Sequence, residues 1–189
     1  MAGGIPGSML VLENDEVMVK SQQAREAYRE IVLHSSSSLN QKMDGWDLIL
    51  LADQGHASPV GHSTVVTWIE IEGMHNSAFG IATHVAGTGA YLLSKSGAVK
   101  IMQSGLHKNT FCFDDFLNAS NTFKLAPHFH PGIADDPAVQ KVQGDGGLKI
   151  FIARACKGNP TGNGLAGTSA IFKHEPQASL KSDTLYVVG

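Results

Sequence analysis

The run Trp46-Asp47-Leu48-Ile49-Leu50-Leu51-Ala52 restricts the fold more than any other segment. Its apolar stretch falls far short of the ~20 residues a membrane helix needs, and it lacks the alternation of a strand with one wet face. It reads as a strand in a sheet covered on both sides. One covering element is visible upstream. Ser21 to His34 places Ala24, Ala27, Tyr28, Ile31 and Val32 at helical spacing, sets Arg25, Glu26, Arg29 and Glu30 between them, and offers Ser21 as N-cap.

The same reading runs along the chain. Ser8-Met9-Leu10-Val11-Leu12 is a second buried strand, Val65 to Glu72, Ile81 to Val85 and Leu148 to Ala153 are further strand candidates, and Thr184 to Val188 is a last strand or a frayed end. Gly87-Thr88-Gly89-Ala90-Tyr91-Leu92-Leu93 leads into a helix capped by Ser94 and stopped by Gly105, with Ala98, Ile101 and Met102 as its buried face. Asp53 to Ser63 and Gly158 to Gly167 read as loops, and Pro127 to Gly147 as irregular chain. Strands alternating with helices predict an α/β fold. A single domain over 1–189, with a loop-rich tail at 157–189, suits 189 residues of which 42% are hydrophobic and 16% charged.

Charge and cysteine content narrow the partners. Lys plus Arg is 14 and Asp plus Glu is 17, so the formal net charge of −3 gives no general attraction for nucleic acid. Cys112 and Cys156 allow one bridge or two thiols. Neither a transmembrane segment nor a signal peptide is expected, because the N-terminal residues lack a basic region followed by an apolar one.

Three clusters could carry chemistry. Glu13-Asn14-Asp15 ends an apolar strand, where ligands of open α/β sheets bind, and alternate carboxylates of an extended segment point the same way. They could share Mg²⁺ or Mn²⁺ and so neutralise a diphosphate; a solvated acidic turn before a helix is the plainer alternative. In Phe111-Cys112-Phe113-Asp114-Asp115-Phe116-Leu117, a carboxylate among aromatics could take a proton from a hydroxyl, or either aspartate could cap a helix starting at Phe116. His128-Phe129-His130 with Asp135 and Asp136 could hold Zn²⁺ in a small metal-dependent hydrolase, or be surface polar residues. Gly87-Thr88-Gly89 has Leu92 where a dinucleotide fingerprint needs glycine, and no Gly-x-Ser-x-Gly elbow exists. Asn118-Ala119-Ser120 is a glycosylation sequon.

In order along the chain, the strand ending in Glu13-Asn14-Asp15, then Trp46-Asp47-Leu48-Ile49, then Ala90-Tyr91-Leu92-Leu93-Ser94-Lys95-Ser96-Gly97-Ala98, then Phe113-Asp114-Asp115-Phe116-Leu117 resemble the motifs of glycosyltransferase family 25. That family includes lipopolysaccharide-biosynthesis glycosyltransferases and procollagen galactosyltransferases. The resemblance covers Met9 to Asp53 and Ala86 to Leu117, with an echo at Leu148 to Ala153. It implies a GT-A-like, Rossmann-like sheet flanked by helices. The implied activity is transfer of a hexose, such as galactose or glucose, from a UDP-sugar to a hydroxyl of a glycan, lipopolysaccharide or hydroxylysine-type protein acceptor. It maps the metal–diphosphate site, with Mn²⁺ or Mg²⁺, to Glu13 and Asp15, and the catalytic carboxylates to Asp114 and Asp115. Tyr91 and Ser94 fall in a segment of cofactor contacts or structural residues. The implied location is the cytoplasm, or the ER or Golgi lumen given an upstream targeting segment.

The chain also departs from the family pattern. Asn14 replaces a central aspartate, removing one negative charge from the metal site. Pro160-Thr161 is followed by Gly162 where the family often has histidine, leaving His174 as a substitute. The family's domain begins well before its acidic motif. This chain is therefore expected to lack the first βα units, to have a sheet with an open edge and a uridine site without its floor, and to be either a working transferase or an inactive, binding-only form.

Overall fold

The computed structural model describes residues 8–13, 16–34, 41–42, 44–52, 64–69, 71–106, 111–124, 132–156, 168–174 and 186–188. Its strands are β1 (Ser8–Leu12), β2 (Glu16–Met18), β3 (Leu48–Leu50), β4 (Thr64–Ile69), β5 (Ser77–His84), β6 (Ala90–Ser94), β7 (Ile150–Cys156), β8 (Thr168–Ser169), β9 (Phe172–His174) and β10 (Tyr186–Val188). Its helices are α1 (Gln22–His34), α2 (Lys95–Ser104), α3 (Phe113–Ser120) and α4 (Pro137–Gly144), with a 3₁₀ turn at Ile133–Asp135.

The main sheet runs β10-β1-β6-β3-β7-β5-β4, with β8 beside the end of β7, while β2 and β9 form a separate pair. Only β3 and β7 pair in parallel; the other pairs are antiparallel, so β1, β3 and β7 share one direction and open their carboxyl ends on one edge. The fold is thus a mixed α/β sheet with helices on both faces.

Strand alternation explains the two cores. Ile49, Leu51, Phe151, Ala153 and Ala155 face one side and pack with Ala27 and Ile31 of α1. Leu48, Leu50, Ile150 and Ile152 face the other and meet Phe116 and Leu117 of α3 and Ala138, Val139 and Val142 of α4. Every residue of β3 is buried, as its unbroken apolar run requires.

Local signals account for the helix ends. Ser21 caps α1, its hydroxyl accepting the Ala24 N–H at 3.0 Å. Ser94 caps α2 by accepting the Gly97 N–H at 3.0 Å, and Gly105 ends it at φ 81° with its N–H on the Met102 carbonyl. Pro137 opens α4 and Asp136 caps it, the carboxylate accepting the Ala138 N–H at 2.8 Å.

Several expectations are corrected. The stretch read as irregular, Pro127 to Gly147, contains α4, because Asp136-Pro137 is a cap followed by a first-turn proline rather than a loop. Ala90 to Ser94 is a full strand, and β5 begins at Ser77, four residues before the expected Ile81. The strand expected to reach Glu72 stops at Ile69. Met102 is 77% exposed: α2 turns Gly97 to the sheet and leaves Met102 in water. Glu30, placed among the solvated residues of α1, is buried. β10 pairs with the outer side of β1, setting Leu10, Val11 and Leu12 against Val188, Val187 and Tyr186. Cys112 is an exposed thiol and Cys156 a buried one, with no bridge between them. The proposed loops at 53–63 and 158–167 lie outside the described residues. No helix among the described residues is long and apolar enough to cross a membrane.

Candidate functional site

Glu13 follows the last residue of β1, at the edge where β1, β3 and β7 end. Backbone pairing continues one step beyond the strand, the Glu13 N–H donating to the Gly89 carbonyl at 2.7 Å. On its side-chain side, the Thr88 hydroxyl donates to Glu13 Oε1 at 3.0 Å. This contact orients the carboxylate, which as an acceptor with several lone pairs can take further ligands. Gly89 lets the buried Glu16 side chain lie against this turn: a Cβ there would lie 2.2 Å from Glu16 Oε1 and would displace the carboxyl end of that side chain. Neither Thr88 nor Glu16 stood out in the sequence, because each gains its place through a partner distant in the chain.

Tyr91 stands opposite Val11 in the β1–β6 register and therefore on the face from which Glu13 continues. Burial, reinforced by the nearby Glu13 charge, pushes its hydroxyl from an ordinary 10.0 up to about 12. Its ring lies 5.8 Å from that of Phe113, the first residue of α3, and Phe113 in turn stacks on Phe116 at 6.3 Å. The aromatic chain Tyr91–Phe113–Phe116 thus brings the start of α3 to the sheet face that carries Glu13.

That start is acidic. α3 begins at Phe113 rather than at the expected Phe116, with Cys112 as its N-cap residue and Asp114 and Asp115 in its first turn. Neither aspartate has the expected capping position; Asp114 Oδ1 accepts the Asp115 N–H at 3.0 Å. Negative charge in a first helical turn is favourable by itself. Cys112, Asp114 and Asp115 each bring a ligand atom within 4.8 Å of the others, a thiol and two carboxylates that suit a borderline cation such as Zn²⁺.

The remaining sequence candidates separate. Ser94 pairs with Ser8 at the far end of the β1–β6 ladder, four residues from Ala90 and so about 13 Å along the strand from the Glu13 edge. Its hydroxyl serves α2 and shares a 2.9 Å hydrogen bond with Ser96. Asp15, Asn14, His128 and His130 lie outside the described residues. Asp135 lies in the 3₁₀ turn and Asp136 caps α4. Asn118 of the sequon is buried, its side-chain amide bonded to both the N–H and the carbonyl of Val85, and a glycan has no room there. A cavity of about 400 Å³ is lined by Gln41, Lys42, Ile71 and Glu72, none of them a sequence candidate.

The Tyr91 environment has a measurable consequence. Its folded value lies above its unfolded one, so its contribution to stability is fully present below pH 10 and is lost as pH rises toward about 12. Alkaline spectrophotometric titration of the folded chain is expected to show a late tyrosine ionisation that Tyr91→Phe removes. A Tyr91→Phe chain that keeps the latest ionisation of the wild type would contradict the burial of Tyr91.

No protein-family model, curated protein or solved structure matches this chain.

Proposed function

We propose that this chain is a hexosyltransferase of the glycosyltransferase family 25 type, with a GT-A-like sheet, acting on a UDP-sugar and an acceptor hydroxyl. The observation that carries the reading is the meeting of three separated motifs at one corner. Glu13 ends β1, Tyr91 stands beside it on β6, and Phe113 brings the acidic start of α3 against Tyr91. Ligands of open α/β sheets bind at such strand ends, which agrees with the side on which Glu13 emerges.

In this reading Glu13 and Asp15 would hold Mn²⁺ or Mg²⁺, their carboxylate oxygens being suited to a hard cation, which when bound would supply charge neutralisation to the diphosphate of UDP. Thr88 fixes the orientation of Glu13, and Tyr91, protonated throughout the physiological range, offers a hydroxyl donor at the same corner. Asp114, with Asp115 next to it, faces the acceptor. The acceptor oxygen bonds to the anomeric carbon, the bond from that carbon to the UDP oxygen breaks, and the acceptor proton passes to the Asp114 carboxylate. Ser94 is a helix cap in this scheme rather than a cofactor ligand.

Release of UDP from UDP-galactose and UDP-glucose, with and without Mn²⁺, tests the reading. The expected result is metal-dependent turnover lost by at least about a hundredfold in Asp15→Ala and in Asp114→Asn, a range usual for removing a charge-stabilising or proton-accepting group. Turnover that survives Asp15→Ala would contradict the site assignment. UDP binding without turnover would make the chain a nucleotide-sugar binding protein, and metal binding that depends on Asp114 but not on Glu13 would move the cation to the Cys112-Asp114-Asp115 group.

A further inference from the structure

The corner proposed above as a nucleotide-sugar site is short of positive charge. Glu13 and Asp15 would cancel the charge of a divalent cation held between them. Asp114 and Asp115 begin α3 on the same sheet face, so a diphosphate there would meet no net counter-charge. Lys100 and Lys149 cannot supply it, being paired with Asp47 and Asp44 at the opposite edge, where β3 and β7 begin. Lys173 is placed differently. It is the middle residue of β9, which the fold carries to the carboxyl end of β3: Phe172 bridges to Ala52, and its N–H donates to the Leu51 carbonyl at 3.2 Å. On the other side of β9 lies β2, with Glu16, Val17 and Met18 opposite His174, Lys173 and Phe172. Met18 and Phe172 both pack on the α1-side core. By strand alternation Val17 and Lys173 face the other way, toward the side of the sheet that carries Glu13 and Tyr91.

The link from β9 back to Glu13 is short. The Glu16 N–H donates to the Glu13 carbonyl at 3.1 Å, and the Glu16 side chain lies against Gly89, whose carbonyl accepts the Glu13 N–H. Val17 follows Glu16, and Lys173 stands across from Val17 at the cross-strand separation of about 5 Å. The long stem of lysine gives its ammonium the reach from there to the Glu13 corner. From this placement we infer that Lys173 is an anion-binding residue that holds the diphosphate of the donor nucleotide. The inference rests on the nucleotide-sugar reading of the corner and supplies the counter-charge that reading needs. An ammonium is a compact charge with three donors, so it can bind a phosphate oxygen beside any contact it keeps within the fold. Lys173 is also exposed, which leaves it open to a ligand and replaceable without disturbing the core.

The test is calorimetric titration of UDP, with Mn²⁺ present, into the full chain and into Lys173→Gln and Lys173→Arg. Mn²⁺ titrated alone into each chain, and a thermal melt of each, are the controls. Lys173→Gln is expected to melt with the wild type, to bind Mn²⁺ at least as tightly, and to bind UDP about tenfold or more weakly, through loss of a charge-assisted hydrogen bond. Lys173→Arg keeps the charge and is expected to keep most of the UDP affinity. Unchanged UDP affinity in Lys173→Gln overturns the inference and leaves the nucleotide-sugar reading standing. Mn²⁺ affinity that falls together with UDP affinity also overturns it, because Lys173 would then support the corner rather than hold phosphate. UDP binding that needs Lys173 but not Mn²⁺ upholds the anion site and contradicts the metal reading instead. A wild type that binds no UDP overturns both.

Discussion

Replacing Asp47 by alanine is expected to cost about 3 kcal/mol or more of folding stability, the scale found when one partner of a buried ion pair is removed. The Asp47 side chain is 4% exposed and receives three donors. Lys100 Nζ donates to Oδ2 at 2.7 Å, the Lys149 N–H to the same oxygen at 2.9 Å, and the Ser96 hydroxyl to Oδ1 at 2.9 Å. This one carboxylate ties the entry to β3 to the first turn of α2 and to the entry of β7. Alanine removes the acceptor of the Lys149 N–H, leaves Ser96 to its remaining partners, the Ser94 hydroxyl and the Trp46 carbonyl, and leaves the Lys100 charge with only the Gly147 carbonyl at 2.8 Å. Asparagine is expected to restore only part of the loss, because its NH₂ turns a donor toward Lys100 or Ser96. Urea titration should show a lower midpoint with an unchanged slope. A loss below about 1 kcal/mol would mean that the network behaves as an exposed ion pair.

Gly97→Ala should damage the same junction by a different route. Alanine normally stabilises a helix relative to glycine by about 0.5–1 kcal/mol. At Gly97 a Cβ would lie 2.3 Å from the Asp47 carbonyl oxygen and 2.9 Å from its carbon, and both belong to backbone that also accepts the Ser94 N–H at 3.0 Å. Nothing there is the free end of a flexible side chain, so α2 must lift off the sheet or β3 must shift. We expect destabilisation of about 3 kcal/mol or more, at or above the top of the usual overpacking range. Gly144→Ala supplies the contrast: it ends α4, meets nothing within 4 Å, and is expected to be neutral or slightly stabilising. Thermal melts of the two variants decide the matter. Equal melting temperatures would show that α2 is not held against β3 as closely as the distances require.

These two positions bear on what the sequence could disclose. Trp46-Asp47-Leu48-Ile49 and Ser94-Lys95-Ser96-Gly97-Ala98 were legible as motifs and as a buried strand followed by a capped helix. Their joint role was not, since Asp47 and Gly97 touch only after folding. β1, α1, β3 and the caps Ser21, Ser94 and Gly105 were readable because each signal lies within a few residues: apolar runs, helical spacing, hydroxyls before helices and a glycine after one. β6 was hidden because it ends directly on the cap residue of α2, leaving no turn to mark its boundary. α4 was hidden because it lies in a stretch rich in proline and glycine, although first-turn proline starts helices. The burial of Glu30 is a long-range effect: its carboxylate accepts the N–H groups of His75 and Asn76 and the Ser77 hydroxyl, 45 to 47 residues away.

The candidate site divides in the same way. Glu13, Asp114 and Asp115 could be singled out by residue type, since carboxylates at strand ends or among aromatics are unusual enough to notice. That Tyr91 and Phe113 join their segments depends on strand pairing and helix packing, which no local pattern specifies. Thr88, the residue that orients Glu13, carries no signal of its own, because a threonine in a Gly-Thr-Gly turn is ordinary.

If, as proposed, the carboxyl end of β1 holds a cation that in turn holds a nucleotide diphosphate, calorimetric titration of UDP into the chain will register it. Wild type is expected to bind UDP with Mn²⁺ present and to lose binding when the metal is chelated, while Glu13→Gln, which keeps the shape but removes the charge, should weaken it by about tenfold or more. UDP affinity that is the same with and without Mn²⁺, or unchanged in a folded Glu13→Gln chain, would contradict the claim.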